Sequence, residues 1–112
     1  MSKIKIIKES EVIKTEISHS SLFLKNVILS NNEVPNLFQL ATAEFIPGSV
    51  IDMHSHGSMT EIFYLISGCL ELFTNDNSFL INHGDTIVIP PGQNHSFKFL
   101  DSTRIIYFNL LV

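Results

Sequence analysis

The sequence predicts an all-β protein, and three observations carry that reading. Short runs rich in Ile, Val, Phe, Leu and Thr succeed one another along the chain, separated by Gly, Asn, Asp and Pro. Nothing after the N-terminal segment keeps a helical period over a useful length. The 112 residues are 45% hydrophobic and only 16% charged, a balance that supports one core under a thinly charged surface.

Taken in order, residues 1–20 mix Ile, Lys, Glu and Ser without clear period and are expected to form an N-terminal arm or an edge strand. Residues 21–112 carry the main domain. Within it, strands are predicted over 23–29, 38–45, 50–56, 61–67, 70–74, 79–81, 86–89, 95–100 and 104–112, with turn residues between most of them. No internal repeat, low-complexity tract or linker interrupts the series. The segment Glu61-Ile-Phe-Tyr-Leu-Ile66 is apolar on both faces, as is Ile105 to Val112. If Glu61, Phe63 and Leu65 face inward, Ile62, Tyr64 and Ile66 face out and need cover, from a second copy in a homodimer or from the N-terminal arm.

Composition limits the partners. A net charge of -4 argues against nucleic acid and against an anionic membrane surface. No apolar run reaches the length of a membrane span, and lysines break up the first ten residues, so a cytoplasmic protein is expected. The one cysteine, Cys69, excludes an internal disulfide.

The chemistry concentrates in two stretches. In the first, His54 and His56 stand at alternate positions and so share a face of an extended segment, and a turn at Gly57-Ser58 brings the Glu61 carboxylate back beside them. In the second, His95 follows the turn Pro90-Pro91-Gly92, where a distant segment can deliver a further side chain. Three imidazoles and a carboxylate pointing into an apolar interior are costly unless something pairs them, and a divalent transition metal does so. Asp52 has the parity of His54 by strict alternation and is the spare acid. His19 and His83 read as surface or turn residues, and Cys69 as a small core or turn residue.

Those two stretches resemble the motifs of the cupin superfamily. Gly48, His54, His56, Glu61 and Gly68 match the first motif without a gap, and Gly84, Pro90, Gly92 and His95 match the second, with Phe99 where the family usually has Asn. The resemblance implies a small single-domain cupin β-barrel over 21–112, a double-stranded β-helix of the jelly-roll type. It also implies one metal ion per chain held by His54, His56, Glu61 and His95, iron being favoured with nickel, manganese, zinc, cobalt and copper as alternatives. Cupins commonly pair as dimers. They perform many reactions, so the likeness leaves the reaction open.

Side-chain pattern narrows the substrate. From Asn26 through Phe97 there is no Lys and no Arg, leaving Arg104 as the candidate anion clamp, while Lys98 should point outward. Phe63, Leu65, Phe97 and Phe99 share the ligands' parity and are expected to line the pocket. Such a wall favours a neutral, apolar or aromatic small molecule with one or two oxygen donors, although the same side chains could simply fill the barrel. Three functions remain: an Fe(II)-type dioxygenase, which is favoured; a redox-neutral lyase, isomerase or cyclase, for which Tyr107, Asp52, Asn109, Gln39 and Glu44 are candidate proton carriers; and a non-catalytic binding or sensor module.

Overall fold

The computed structural model describes residues 4–17, 20–31 and 33–112, the side chains of 15–24 excepted. His19, expected at the surface, lies outside the described residues. A short 3-10 turn, Glu9–Glu11, precedes ten strands: β1 Lys14–Ile17, β2 Ser20–Leu29, β3 Leu37–Phe45, β4 Val50–His54, β5 Met59–Ser67, β6 Cys69–Phe73, β7 Ser78–Asn82, β8 Thr86–Ile89, β9 His95–Phe99 and β10 Thr103–Leu111. The chain is all-β, as its alternating pattern and turn residues dictate. Strand β1 falls within the N-terminal segment and pairs with β2 at one edge of a sheet.

Every pairing is antiparallel. Six strands form one sheet in the order β1-β2-β3-β10-β5-β8, and four form the other in the order β4-β9-β6-β7. The long β10 holds the larger sheet together by pairing with β3 on one side and β5 on the other. Period-2 burial is clear where a strand has one face inward. In β9, His95, Phe97 and Phe99 are buried while Lys98 is exposed, as expected, and in β5 Glu61, Phe63 and Leu65 are buried.

The core forms where the inner faces of the two sheets meet. Leu65, Ile87 and Ile105 from the larger sheet cluster with Ile51, Leu70, Leu72, Phe97 and Phe99 from the smaller one. Phe99 stacks on Phe45 with ring centroids 4.0 Å apart and planes 6° from parallel, and the Phe63 ring meets Phe97 edge-on at 5.1 Å. Gly68 makes the β5–β6 connection at a φ of 87°, and a Cβ there would stand 2.3 Å from the Ser102 carbonyl oxygen. Only glycine permits both that backbone conformation and that approach.

The N-terminal segment is pinned to the outside of the larger sheet. The Glu9 carboxylate accepts from Arg104 Nη2 at 2.7 and 2.9 Å, from Asn26 Nδ2 at 3.1 Å and from the Thr42 hydroxyl. These bonds, led by the Thr42 hydroxyl and followed by Asn26 and Arg104, hold the Glu9 pKa down at about 2. Glu44 stands 3.6 Å from Arg104 Nε. Arg104 is therefore engaged in tying the N-terminal segment down, which corrects its expected role as an anion clamp in the pocket.

Candidate metal centre and cavity

The site sits where the ends of β4, β5 and β9 converge. His54 closes β4, Glu61 lies near the start of β5 and His95 opens β9, and His54 pairs with His95 across the smaller sheet. One nitrogen or oxygen from each of His54, Glu61 and His95 lies within 4.8 Å of the other two. The His54 and His95 rings approach to 4.3 Å between centroids.

Backbone carbonyls fix how the two rings are presented. His54 Nδ1 donates to the carbonyl of Asp52 at 2.8 Å, and His95 Nδ1 donates to that of Gln93 at 2.9 Å. In a neutral ring so held, Nε2 carries the lone pair. His95 Nε2 lies 3.2 Å from Glu61 Oε1, and both atoms are buried without a hydrogen-bond partner. Two acceptors facing each other at that distance repel, and only a proton or a cation between them turns the approach into attraction. The donor set therefore fits a divalent metal ion, with imidazole nitrogens and a carboxylate oxygen as its ligands.

His56, the fourth expected ligand, stands beside Glu61. Strand β4 ends at His54, so His56 lies in the irregular segment that leads to the Gly57-Ser58 turn. Its carbonyl accepts from the Gly92 amide at 2.9 Å, its ring meets His54 edge-on at 5.0 Å between centroids, and its Nε2 lies 3.6 Å from Glu61 Oε1. It borders the site from the cavity side, beside Glu61, rather than joining the tight group of three.

A bulge also moves Asp52. Ile51 pairs with Phe97 and His54 with His95, so three steps along β4 oppose two along β9. The extra residue shifts the alternation, turning Ile51 and His54 inward and leaving the Asp52 side chain exposed. Asp52 contributes its carbonyl to His54 and places no acid in the pocket, which corrects its candidacy as a proton carrier.

Beside this group lies a cavity of about 130 Å³. A space of about that volume accommodates one benzene-sized ring. Phe63 and Phe97 line it, along with Phe45, Ile51 and Ile105. Leu65 and Phe99 do not. Both have no exposed surface and pack within the core, Phe99 against Phe45, so sharing the ligands' parity did not bring them to the cavity wall. His83 is exposed in the turn after β7.

The polar wall comes from β3 and β10. Gln39 Nε2 donates to Tyr107 Oη at 3.1 Å, and Asn109 is buried with its Oδ1 unpaired. Register explains their nearness to the site, since Asn109 pairs with Glu61 on one side and with Gln39 on the other, while Tyr107 pairs with Phe63. Burial pushes the Tyr107 phenol up to about 12, the Gln39 bond opposes the rise and the Glu61 carboxylate adds to it. Tyr107 thus keeps its proton and serves as a donor. Of the other proposed proton carriers, Gln39 and Asn109 reach the cavity, whereas Glu44 is exposed on the outer face.

Sequence reasoning missed Lys25. This lysine lines the cavity, half-buried, and burial lowers its pKa. The cation-free interval that began at Asn26 stopped one residue short of it. The available signal was its place among Phe23, Val27 and Leu29, a lysine at a position whose alternate neighbours are apolar.

Comparisons with known proteins bear on the same residues. A family model described as Cupin domain matches residues 41–110, which hold every candidate metal ligand. An uncharacterized protein of Methanocaldococcus jannaschii is 30% identical over 99 residues, spanning 88% of this chain and 79% of that protein. Quercetin 2,3-dioxygenase of Bacillus subtilis is 28% identical over 79 residues, 70% of this chain but 23% of that enzyme. The crystal structure of a predicted oxalate decarboxylase from Thermotoga maritima superposes with a TM-score of 0.84 at 21% identity, covering 96% of this chain and all of that one. Polyketide cyclase RemF from Streptomyces resistomycificus superposes with a TM-score of 0.79 at 19% identity, covering 96% of this chain and 80% of that one. At such identities the two structural likenesses speak for the fold alone.

Proposed function

The chain belongs to the cupin domain family, and from that premise we propose that it is a metal-dependent enzyme acting on a small, partly apolar or aromatic molecule through its oxygen atoms. The observation that carries this reading is the buried pair His95 Nε2 and Glu61 Oε1, two acceptors 3.2 Å apart beside an aromatic-walled cavity. A dioxygenase of the Fe(II) type is the favoured form, supported by the likeness to part of quercetin 2,3-dioxygenase.

His54, His95 and Glu61 would hold the ion, with His56 adjoining Glu61. When bound, the metal supplies a Lewis acid that polarises a substrate oxygen. The chain's own groups do the rest. Phe63 and Phe97 seat the apolar body of the substrate and exclude water, while Asn109 and the Tyr107 hydroxyl offer hydrogen bonds from β10, beside Phe63. The Tyr107 phenol, protonated and held by Gln39, also favours a second reading as a redox-neutral lyase, isomerase or cyclase, in which it donates a proton to a substrate carbanion or enolate.

A homodimer is part of the same reading. Tyr64, Ile66 and Val88 are exposed on the outer face of β5 and β8, and Glu9 commits the N-terminal segment to Arg104 and Thr42 instead of to that face. Sedimentation of the purified chain tests it, a monomer at micromolar concentration being the refuting result.

Elemental analysis of the purified chain, followed by oxygen uptake with catechol-like and diketone substrates, tests the chemistry. Iron near one per chain with substrate-dependent uptake supports the dioxygenase. A different metal with substrate turnover and no uptake supports the redox-neutral form, and a chain that binds no added transition metal overturns both.

A further inference from the structure

We propose that Lys25 is a specificity residue of this cavity, pairing with a carboxylate at the far end of a ligand whose other end carries the oxygen donors. The inference deepens the proposed function and rests on it for the identity of the oxygen-binding end. It changes the substrate class from a neutral molecule to an acid with two distinct ends.

Strand register places the two ends. Lys25 of β2 pairs with Ala43 of β3, which pairs with Ile105 of β10, which in turn pairs with Leu65 of β5. Glu61 pairs with Asn109, and Asn109 with Gln39, at a second level across the same strands. From Glu61 to Leu65, from Asn109 to Ile105 and from Gln39 to Ala43 the step is four residues, or roughly 13 Å along the sheet. A lysine stem reaches back over part of that span, and a metal ligand reaches forward over another part. What remains suits a single ring with a short acidic arm, in keeping with a cavity of about 130 Å³.

The chemistry around Lys25 points the same way. Phe38, Phe45, Ile51 and Ile105 line the cavity with it and supply apolar contact, and the acid in the same lining, Glu61, belongs to the other level, four residues along the strands. No described acidic group pairs with the Lys25 ammonium. A cation partly removed from water beside apolar side chains gains from an anion brought by a ligand. Burial alone accounts for its lowered pKa, as expected for an ammonium whose partner is not part of the chain. Arg104, the other cation considered for this task, is already held by Glu9.

The test uses 3-(3,4-dihydroxyphenyl)propanoate and its neutral amide as probes. Each is titrated by calorimetry against the full chain, both loaded with zinc and after treatment with chelator. The acid should bind about tenfold more tightly than the amide in both states, the order expected of a hydrogen bond to a charged group. Lys25→Met keeps the apolar stem and should bind the two probes alike, whereas Lys25→Arg should retain the preference. Equal binding of acid and amide by the unaltered chain, failure of the acid to bind, or a preference that survives in Lys25→Met overturns the proposal. A preference that depends on Lys25 while zinc leaves both affinities unchanged upholds the role of Lys25 and strikes the metal reading instead.

Discussion

Replacing Glu61 by Gln should stabilise the metal-free protein and weaken its response to metal. Glu61 Oε1 and His95 Nε2 lie buried 3.2 Å apart, and with neither a proton nor a metal ion between them they are two acceptors that repel. A Gln amide fills nearly the same space and turns one of them into a donor, so His95 Nε2 gains a hydrogen bond. A neutral bond of this kind contributes about 1 kcal/mol, more when it relieves a buried unpaired group. For a domain of this size each kilocalorie moves the melting temperature by roughly 4 °C, so metal-free Glu61→Gln should melt about 4 °C above the unaltered protein. Metal reverses the order. At a hundredfold excess over its dissociation constant a ligand adds about 2.7 kcal/mol, or on the order of 10 °C, and the loss of an anionic ligand should remove at least half of that gain. The assay is a thermal melt followed by circular dichroism after chelator treatment, repeated with added zinc or manganese. A metal-free variant that melts below the unaltered protein, or one that keeps the whole metal-induced rise, would refute the reasoning.

Three further outcomes follow from particular contacts. Acid titration should reveal the Glu9 clamp. Its pKa is depressed to about 2, so the stability it contributes is present above the unfolded value near 4.5 and is lost as pH falls from there toward 2. Urea midpoints for Glu9→Gln should accordingly lie below those of the unaltered chain at pH 7 and converge with them near pH 2, and parallel curves would count against the clamp. Phe99→Ala removes a ring with no exposed surface, stacked on Phe45, and should cost about 3–5 kcal/mol in denaturant unfolding. Because Phe99 does not line the cavity, the metal affinity of the folded fraction should stay unchanged by equilibrium dialysis, and a tenfold loss would contradict its placement. His95→Ala should abolish measurable metal retention after dialysis, whereas His83→Ala, altering an exposed turn residue, should retain as much as the parent.

Much of the architecture was legible from residue order because its causes are local. Alternation of Phe, Ile, Leu and Val with polar residues sets which face of a strand is buried, and turn residues such as Gly68 mark where the chain must reverse. Nine predicted strands correspond to β2 through β10, their ends shifting by up to three residues, outward in β2, β5 and β7 and inward at the end of β4. His54, Glu61 and His95 were legible for a similar reason. Polar side chains at inward parity in apolar strands need a partner, and their number and type named a metal.

Tertiary structure decided what alternation alone misassigns. The bulge between Ile51 and His54 depends on pairing with β9, and that pairing turned Asp52 out to solvent. Core depth, which parity does not encode, withdrew Leu65 and Phe99 from the cavity. Arg104 is kept from the cavity because a distant Glu9 engages it, while the register of β2 on β3 carries Lys25, for which no role was expected, to the cavity lining. Sequence by itself determined the β architecture and the three close ligand candidates, since each follows from a residue and its near neighbours. Which cation reaches the cavity follows from contacts between residues far apart in the chain, and only the folded register brings those together.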